Sequence, residues 1–382
     1  MKLARARIIP FRLALRGPLA TAHGVITARQ GWLLQLQSRA GISGWGEASP
    51  LPGFGLEAAT ACPRALAALV DDLLGRDLDD LAGLLDRAEL LAPGAPSARA
   101  ALDCALHDLT ARSAGRTVAE LLADRWLAPA GAGRAAPVRR QLPISALLDG
   151  GDVDQWRPAA ERLAGEGYRV FKLKLGRAGL DRELAGVRAL AACLSGGQRL
   201  RLDVNGAWTE AQALQALECL AHAPVEWLEQ PLPAGALTAM ARLRARRLLP
   251  LAADEAVSDP RQAQRVIEAR AADWLVIKPA AVGGLRAACR IALAAAGAGL
   301  GCAVTSFLDS AIGVASAFHL AAALPPGQPA AGLGTSGLLR HDVCLPLPAR
   351  GGHMFMASAP GLGLEPDVAQ LDCTGRIVEW RA

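Results

Sequence analysis

Lysine is nearly missing from this chain. Four of its 41 basic residues are Lys, at Lys2, Lys172, Lys174 and Lys278, and the rest are Arg. Asparagine occurs once, at Asn205. A composition drained of Lys keeps it where chemistry needs an amine that can lose its proton, which a guanidinium cannot do. Lys2 needs no such reason. The other three share one, developed below. Further absences exclude whole classes of function. The eight cysteines stand singly, at Cys62, Cys104, Cys193, Cys219, Cys289, Cys302, Cys344 and Cys373. With no CxxC pair and no His at zinc spacing, they read as buried thiols in a reducing compartment. Ala-rich stretches such as residues 291–300 are too short to span a bilayer. Residues 1–16 carry Arg among their apolar positions and make a poor signal peptide. A cytoplasmic protein with no membrane partner is expected. The formal net charge is +5, yet no basic run interleaves with aromatics. Nucleic acid is therefore not an expected partner, while an anionic small molecule is.

What is present is a large core. The chain has 382 residues, of which 52% are hydrophobic and 20% charged, so two domains are expected. From about residue 140 one theme repeats. Short apolar runs at 141–147, 169–175, 200–204, 225–229, 249–254, 274–278, 301–305 and 330–334 alternate with helix-periodic stretches such as 182–194, 209–222 and 260–271. Eight such units predict an α/β fold, a (β/α) barrel over residues 138–340. Residues 1–125 read as an α+β domain. Runs 4–15 and 31–38 are strand-like, 41–46 is a turn, and 56–74 and 98–111 are helical. Residues 128–137, made only of Ala, Pro, Gly and Arg, read as linker. Residues 341–382, with a strand-like piece at 376–380, are expected to return to the first domain.

Barrels carry their chemistry where strands end. The second run ends FKLKLG, with Lys172 and Lys174. The third ends RLDVN, with Arg201, Asp203 and Asn205. The fourth ends in Glu229, the fifth in Asp254 and Glu255, the sixth in Lys278, the seventh in Thr305 and Ser306, and the eighth at Gly334. Residues two apart on a strand share a face. Three carboxylates converging inside a barrel repel unless a cation joins them. With no His at these positions, a hard ion with oxygen ligands fits: Mg²⁺, with Mn²⁺ as a substitute. Lys on both sides of the acids can serve as base and electrostatic partner beside such an ion. Asn205 is expected to brace a ligand and Arg201 to pair with an inward carboxylate. Gly283 and Gly284 would suit either an anion cradle or a plain turn.

The order KxK, Asp, Glu, Asp, Lys behind an α+β domain resembles the enolase superfamily, in its muconate-lactonizing subgroup, along essentially the whole chain. The segment GWGEASPLPGFG (44–55), with RLDVNGAW, WLEQPL and IKPAAVGG, is similar to the o-succinylbenzoate synthase family. So is TSFLDSAIG, in which Phe307 and Asp309 depart from that family's pattern. The resemblance implies an enolase-type barrel with an N-terminal capping domain. It implies Lys174 as base, Lys278 as its opposite partner with a cation–π contact, and Asp203, Glu229 and Asp254 as Mg²⁺ ligands. Lys172, Arg201 and Asn205 would support them, and Thr305, Ser306 and Gly334 would contact a succinyl arm. The implied reaction is dehydration of a succinyl-hydroxycyclohexadiene carboxylate in menaquinone biosynthesis. The alternatives are N-succinylamino acid racemisation and muconate cycloisomerisation. A loop at 19–29 and the segment 51–54 would close over the substrate.

Overall fold

The computed structural model describes residues 1–21, 24–128, 137–148, 153–371 and 373–381. Residues 129–136 of the expected linker lie outside these, as do 22 and 23 of the expected loop 19–29. The N-terminal sheet is built from β1 (Leu3–Thr21), β2 (Gly24–Ser38) and β3 (Ser43–Ala48), all antiparallel. Three helices cover one face: α1 (Cys62–Leu73), α2 (Leu81–Leu91) and α3 (Pro96–Ser113). Alternation explains how one strand serves two cores. Ile9, Phe11, Leu13 and Leu15 join the buried cluster of the barrel, whereas Ala6 and Ile8, with Leu34 and Leu36, join that of the helices.

Two sequence expectations change here. The described residues of the segment, 19–21 and 24–29, are not a loop: they continue β1 and β2, with Leu19 opposite Ile26 after an irregularity beyond Ala14. The helix expected from residue 56 begins only at Cys62, because Pro52–Phe54 forms a separate 3-10 turn closed by Gly55 in left-handed geometry. GWGEASP earns its glycines from close packing. A Cβ on Gly46 would lie 1.9 Å from the Ala101 carbonyl oxygen, and one on Gly44 2.3 Å from that of Ala105. Helix α3 thus rests its backbone directly on β3. Gly46→Ala is expected to cost about 1–3 kcal/mol through overpacking, read as an earlier midpoint in chemical denaturation. An unchanged midpoint would contradict this packing.

After β4 (Gln141–Pro143), seven parallel strands follow in sequential order: β5 (Ala146–Leu148), β6 (Val170–Lys174), β7 (Arg199–Asp203), β8 (Val225–Glu229), β9 (Leu251–Ala253), β10 (Trp274–Ile277) and β11 (Gly301–Val304). Helices such as Leu180–Cys193, Glu210–Leu220 and Leu285–Gly297 intervene. The eighth position, 330–334, is no regular strand. It closes the ring by single parallel bridges, Thr305 to Gly332 and Ile144 to Ala331. The first run also splits. Pro143 has no N–H for a continuous ladder, and Gln141–Pro143 pairs instead with β13 (His353–Phe355), itself joined to β12 (Ala349–Arg350). The final strand, β14 (Val378–Arg381), pairs antiparallel with β1.

The barrel interior is layered. One layer below the strand ends lie Arg201, Trp227, Ala252, Val276 and Ala303. The Trp227 and Trp274 rings pack 5.4 Å apart. Two indoles fill this floor, so their neighbours are small, and a Cβ on Gly301 would lie 2.1 Å from the Trp274 ring. The capping domain is fastened by its own anion. Asp103 of α3 accepts from the amides of Leu285 and Arg286, at 3.0 and 3.1 Å. The Gly283–Gly284 turn therefore receives a carboxylate of the protein itself. Buried Arg286 adds ion pairs to Asp86 and Glu89 on α2. The eight cysteines are free thiols, but Cys193, Cys219 and Cys373 are exposed, not buried as expected. No helix among the described residues is long and apolar enough to cross a membrane.

Candidate active site

Strand register brings the acids together. In β6, β7 and β8, Lys174 pairs with Asp203, and Asp203 with Glu229. Asp254 follows β9 directly. All three acids are buried, and one carboxylate oxygen of each lies within 4.8 Å of the others. Lys172 Nζ sits between two of them, 2.7 Å from Asp203 Oδ2 and 2.6 Å from Glu229 Oε1. Lys174 Nζ donates to Asp203 Oδ2 at 2.5 Å and Asn205 Oδ1 at 3.0 Å. Lys278 Nζ donates to both oxygens of Asp254, at 2.5 and 2.7 Å. The lysines stand on β6 and just after β10, half-way round the barrel from each other, and so flank the triad.

Burial and charge compete at each group. Burial raises the Asp203 carboxyl, but Lys172 and Lys174 overcome it and hold it far below its ordinary value. For Glu229 and Asp254 burial wins, and both are raised, despite Lys172 and Lys278 respectively. Burial opposes the charge on Lys172, yet Asp203, Glu229 and Asp254 raise its ammonium above the usual range. Lys278 is raised the same way, by Asp254 and Glu255.

This donor set fits a hard divalent cation. Glu255, next to Asp254, accepts from Asn205 Nδ2 at 2.7 Å through one oxygen, while its buried Oε2 has no hydrogen-bond partner among the described residues. Four carboxylates therefore face three ammonium groups. The cluster is formally one charge negative and keeps an unspent oxygen. With all three lysines protonated, a divalent cation would leave it one charge positive.

A cavity of about 270 Å³ opens above the cluster. Leu19, Leu51 and Phe54 of the capping domain line one side, and Thr305, Ser306 and Phe307 the other. Thr305 Oγ1 donates to the Gly332 carbonyl at 2.8 Å, and Ser306 Oγ meets Thr335 Oγ1 at 2.8 Å; Gly334 lines the same wall. Phe307 meets Phe54 edge-on at 5.7 Å, and its ring lies 5.3 Å from Lys278 Nζ. Asp309 holds that turn by accepting from the Phe307 amide at 2.7 Å. Buried Arg29 ties it to the cap, donating to the carbonyls of Leu308 (2.9 Å) and Ser49 (2.5 Å). Leu308 sits there at φ 57°, a costly backbone for a branched side chain.

Arg201 does not reach the acids. It is one layer lower, donates Nε to Glu226 at 2.6 Å, and lies over the Trp227 ring at 4.0 Å. Two contributors escape a reading of strand ends. Gln230, at φ 38°, accepts from the amides of Asp254 and Ala256, at 3.0 and 3.2 Å, and fixes the end of β9. Arg29 shows no pattern at all, being one Arg among many.

A capped barrel whose strand ends join three acids to three lysines defines an enzyme architecture. Residues 155–370 match the enolase C-terminal domain-like family, and residues 4–123 the mandelate racemase / muconate lactonizing enzyme N-terminal domain. The chain belongs to the enolase superfamily. It is 27% identical to the N-succinyl-L-Arg/Lys racemase of Bacillus cereus over 84% of each chain. The crystal structure of N-succinyl Arg/Lys racemase from that species superposes with a TM-score of 0.90, at 25% identity, covering 100% of both chains. Muconate cycloisomerase 1 of Rhodococcus opacus is 30% identical over 89% of each chain. The o-succinylbenzoate synthase of Thermobifida fusca is 36% identical over 55% of this chain and 64% of its own.

Proposed function

We propose that this protein is an o-succinylbenzoate synthase acting in the cytoplasm in menaquinone biosynthesis. Its substrate would be 2-succinyl-6-hydroxy-2,4-cyclohexadiene-1-carboxylate. The observation that carries this is the cavity lining. Around the charged cluster it is apolar and aromatic, and its carboxylates are engaged: Glu183 by the amides of Gly176, Arg177 and Ala178, and Asp254 by Lys278. That suits an apolar ring bearing carboxylates, and gives a cationic side chain no partner.

In this reading Asp203, Glu229 and Asp254 hold Mg²⁺, or Mn²⁺ in its place. When bound, the ion supplies Lewis-acid stabilisation of charge developing on the substrate carboxylate. Lys174, as the free amine, takes the proton from the ring carbon bearing that carboxylate. Lys278, facing from the other side, stabilises the negative charge left behind with its ammonium. Lys174 then gives the proton to the departing hydroxyl. The C–O bond breaks, water leaves, and the ring becomes aromatic. The apolar walls from cap and barrel exclude bulk water from these transfers. Thr305, Ser306 and Gly334 would meet the succinyl arm.

The test is loss of diene absorbance on that substrate with Mg²⁺. Fast turnover abolished by a chelator is the expected result, and none with metal bound would reject the assignment. A second reading, N-succinylamino acid racemisation, is favoured by lysines flanking the site and by the racemase's likeness along the whole chain. It predicts α-proton exchange in deuterated water. The engaged carboxylates predict that N-succinyl-Phe would then outpace N-succinyl-Arg. The reverse order would contradict that account of the cavity.

A further inference from the structure

Below Glu229 the barrel holds a buried relay of three side chains. Trp227 and Glu229 are two apart on β8 and share its inward face. The indole Nε1 donates to Glu229 Oε2 at 3.1 Å, while Lys172 takes the other oxygen at 2.6 Å. Two side chains neighbour the indole ring. The Arg201 guanidinium lies 4.0 Å from its ring centroid, and Trp274 packs against it at 5.4 Å. Arg201 is itself held by Glu226 at 2.6 Å, and its buried Nη2 has no hydrogen-bond partner among the described residues. A guanidinium on a ring face draws electron density from it. In an indole this sharpens the N–H as a donor.

We propose that Trp227 is the positioning residue for Glu229, and that Arg201 acts on Glu229 through it. This rests on the reading that Asp203, Glu229 and Asp254 hold a divalent cation. One oxygen of Glu229 is committed to the indole, which orients the other toward the triad. The carboxylate is then set before a cation arrives, and does not have to give up rotamer freedom to bind it. Hydrogen bonds to metal ligands of this kind are worth about 10–100-fold in metal affinity.

The test is titration with Mn²⁺ alone, following the free ion by electron paramagnetic resonance, on the full chain and three variants. Trp227→Phe keeps the ring and removes the donor. It should weaken binding about ten-fold. Arg201→Met should weaken it by a smaller factor. Trp274→Phe alters the same packing without touching the triad, and should bind as the parent does. Mg²⁺ should also change the tryptophan emission of the parent and of Trp274→Phe, but not of Trp227→Phe. Undiminished binding by Trp227→Phe would overturn the proposal. So would equal weakening by both Trp variants, which would trace the effect to core packing. A parent protein that binds no Mn²⁺ would instead overturn the metal reading, and this one with it.

Discussion

Lys174→Arg is expected to lower turnover on the order of 10⁴-fold, the upper range for loss of a general base, while the fold and the cation site persist. Arginine keeps the positive charge next to Asp203 Oδ2, where Lys174 now sits at 2.5 Å, so the electrostatics of the triad change little. What it cannot do is accept a proton, since a guanidinium stays charged at any working pH. The variant therefore separates charge from chemistry. Steady-state turnover of the diene substrate reads the loss, and Mn²⁺ titration reads the intact site. If turnover stays within ten-fold of the parent, Lys174 is not the base. Lys278, across the triad, would then be examined by the same replacement.

Much of this site was legible because barrels put chemistry at strand ends and because Lys is so scarce. Register sets Lys174, Asp203 and Glu229 side by side, and Lys172, Asp254 and Lys278 join them at the same end of the barrel. The parts that were not legible depend on contacts between distant segments. Arg29 and Leu308 lie 279 positions apart in sequence. The described residues of 19–29 pair between β1 and β2 instead of forming the loop that the resemblance implies. The eighth barrel position reads as a strand by apolarity, but its glycines admit only single bridges beside Thr305. Arg201 is expected to pair with an inward carboxylate, yet it pairs with Glu226 and lies over Trp227 one layer down, because a strand pattern gives the face of a residue and not the identity of what lies on the neighbouring strand. Trp227 is buried in the barrel interior. Its second role depends on one hydrogen bond that no spacing rule predicts.

Asp203→Asn is expected to remove activity to the same extent, by another route and with a different signature. Asp203 is the acid shared by two lysines, at 2.7 Å to Lys172 and 2.5 Å to Lys174. Breaking a fully buried ion pair costs about 3–5 kcal/mol when it orphans a charge. Here the cost should fall below that range. Lys172 keeps Glu229 at 2.6 Å, while Lys174 keeps Asn205 and opens onto the cavity. The variant should therefore fold, with only a modestly lower melting temperature. The cluster, however, changes from one negative charge to none, and the triad loses a ligand. A divalent cation would then enter a neutral site with three ammonium groups close by, and its affinity should collapse. Thermal melting with and without Mg²⁺ checks both halves. The parent is expected to be stabilised by the ion, because binding to the native state alone raises stability, and Asp203→Asn is expected to show no such response. An Asp203→Asn protein that melts higher with Mg²⁺ and turns over at the parental rate would remove Asp203 from the metal site and leave it as a counter-ion for the lysines alone.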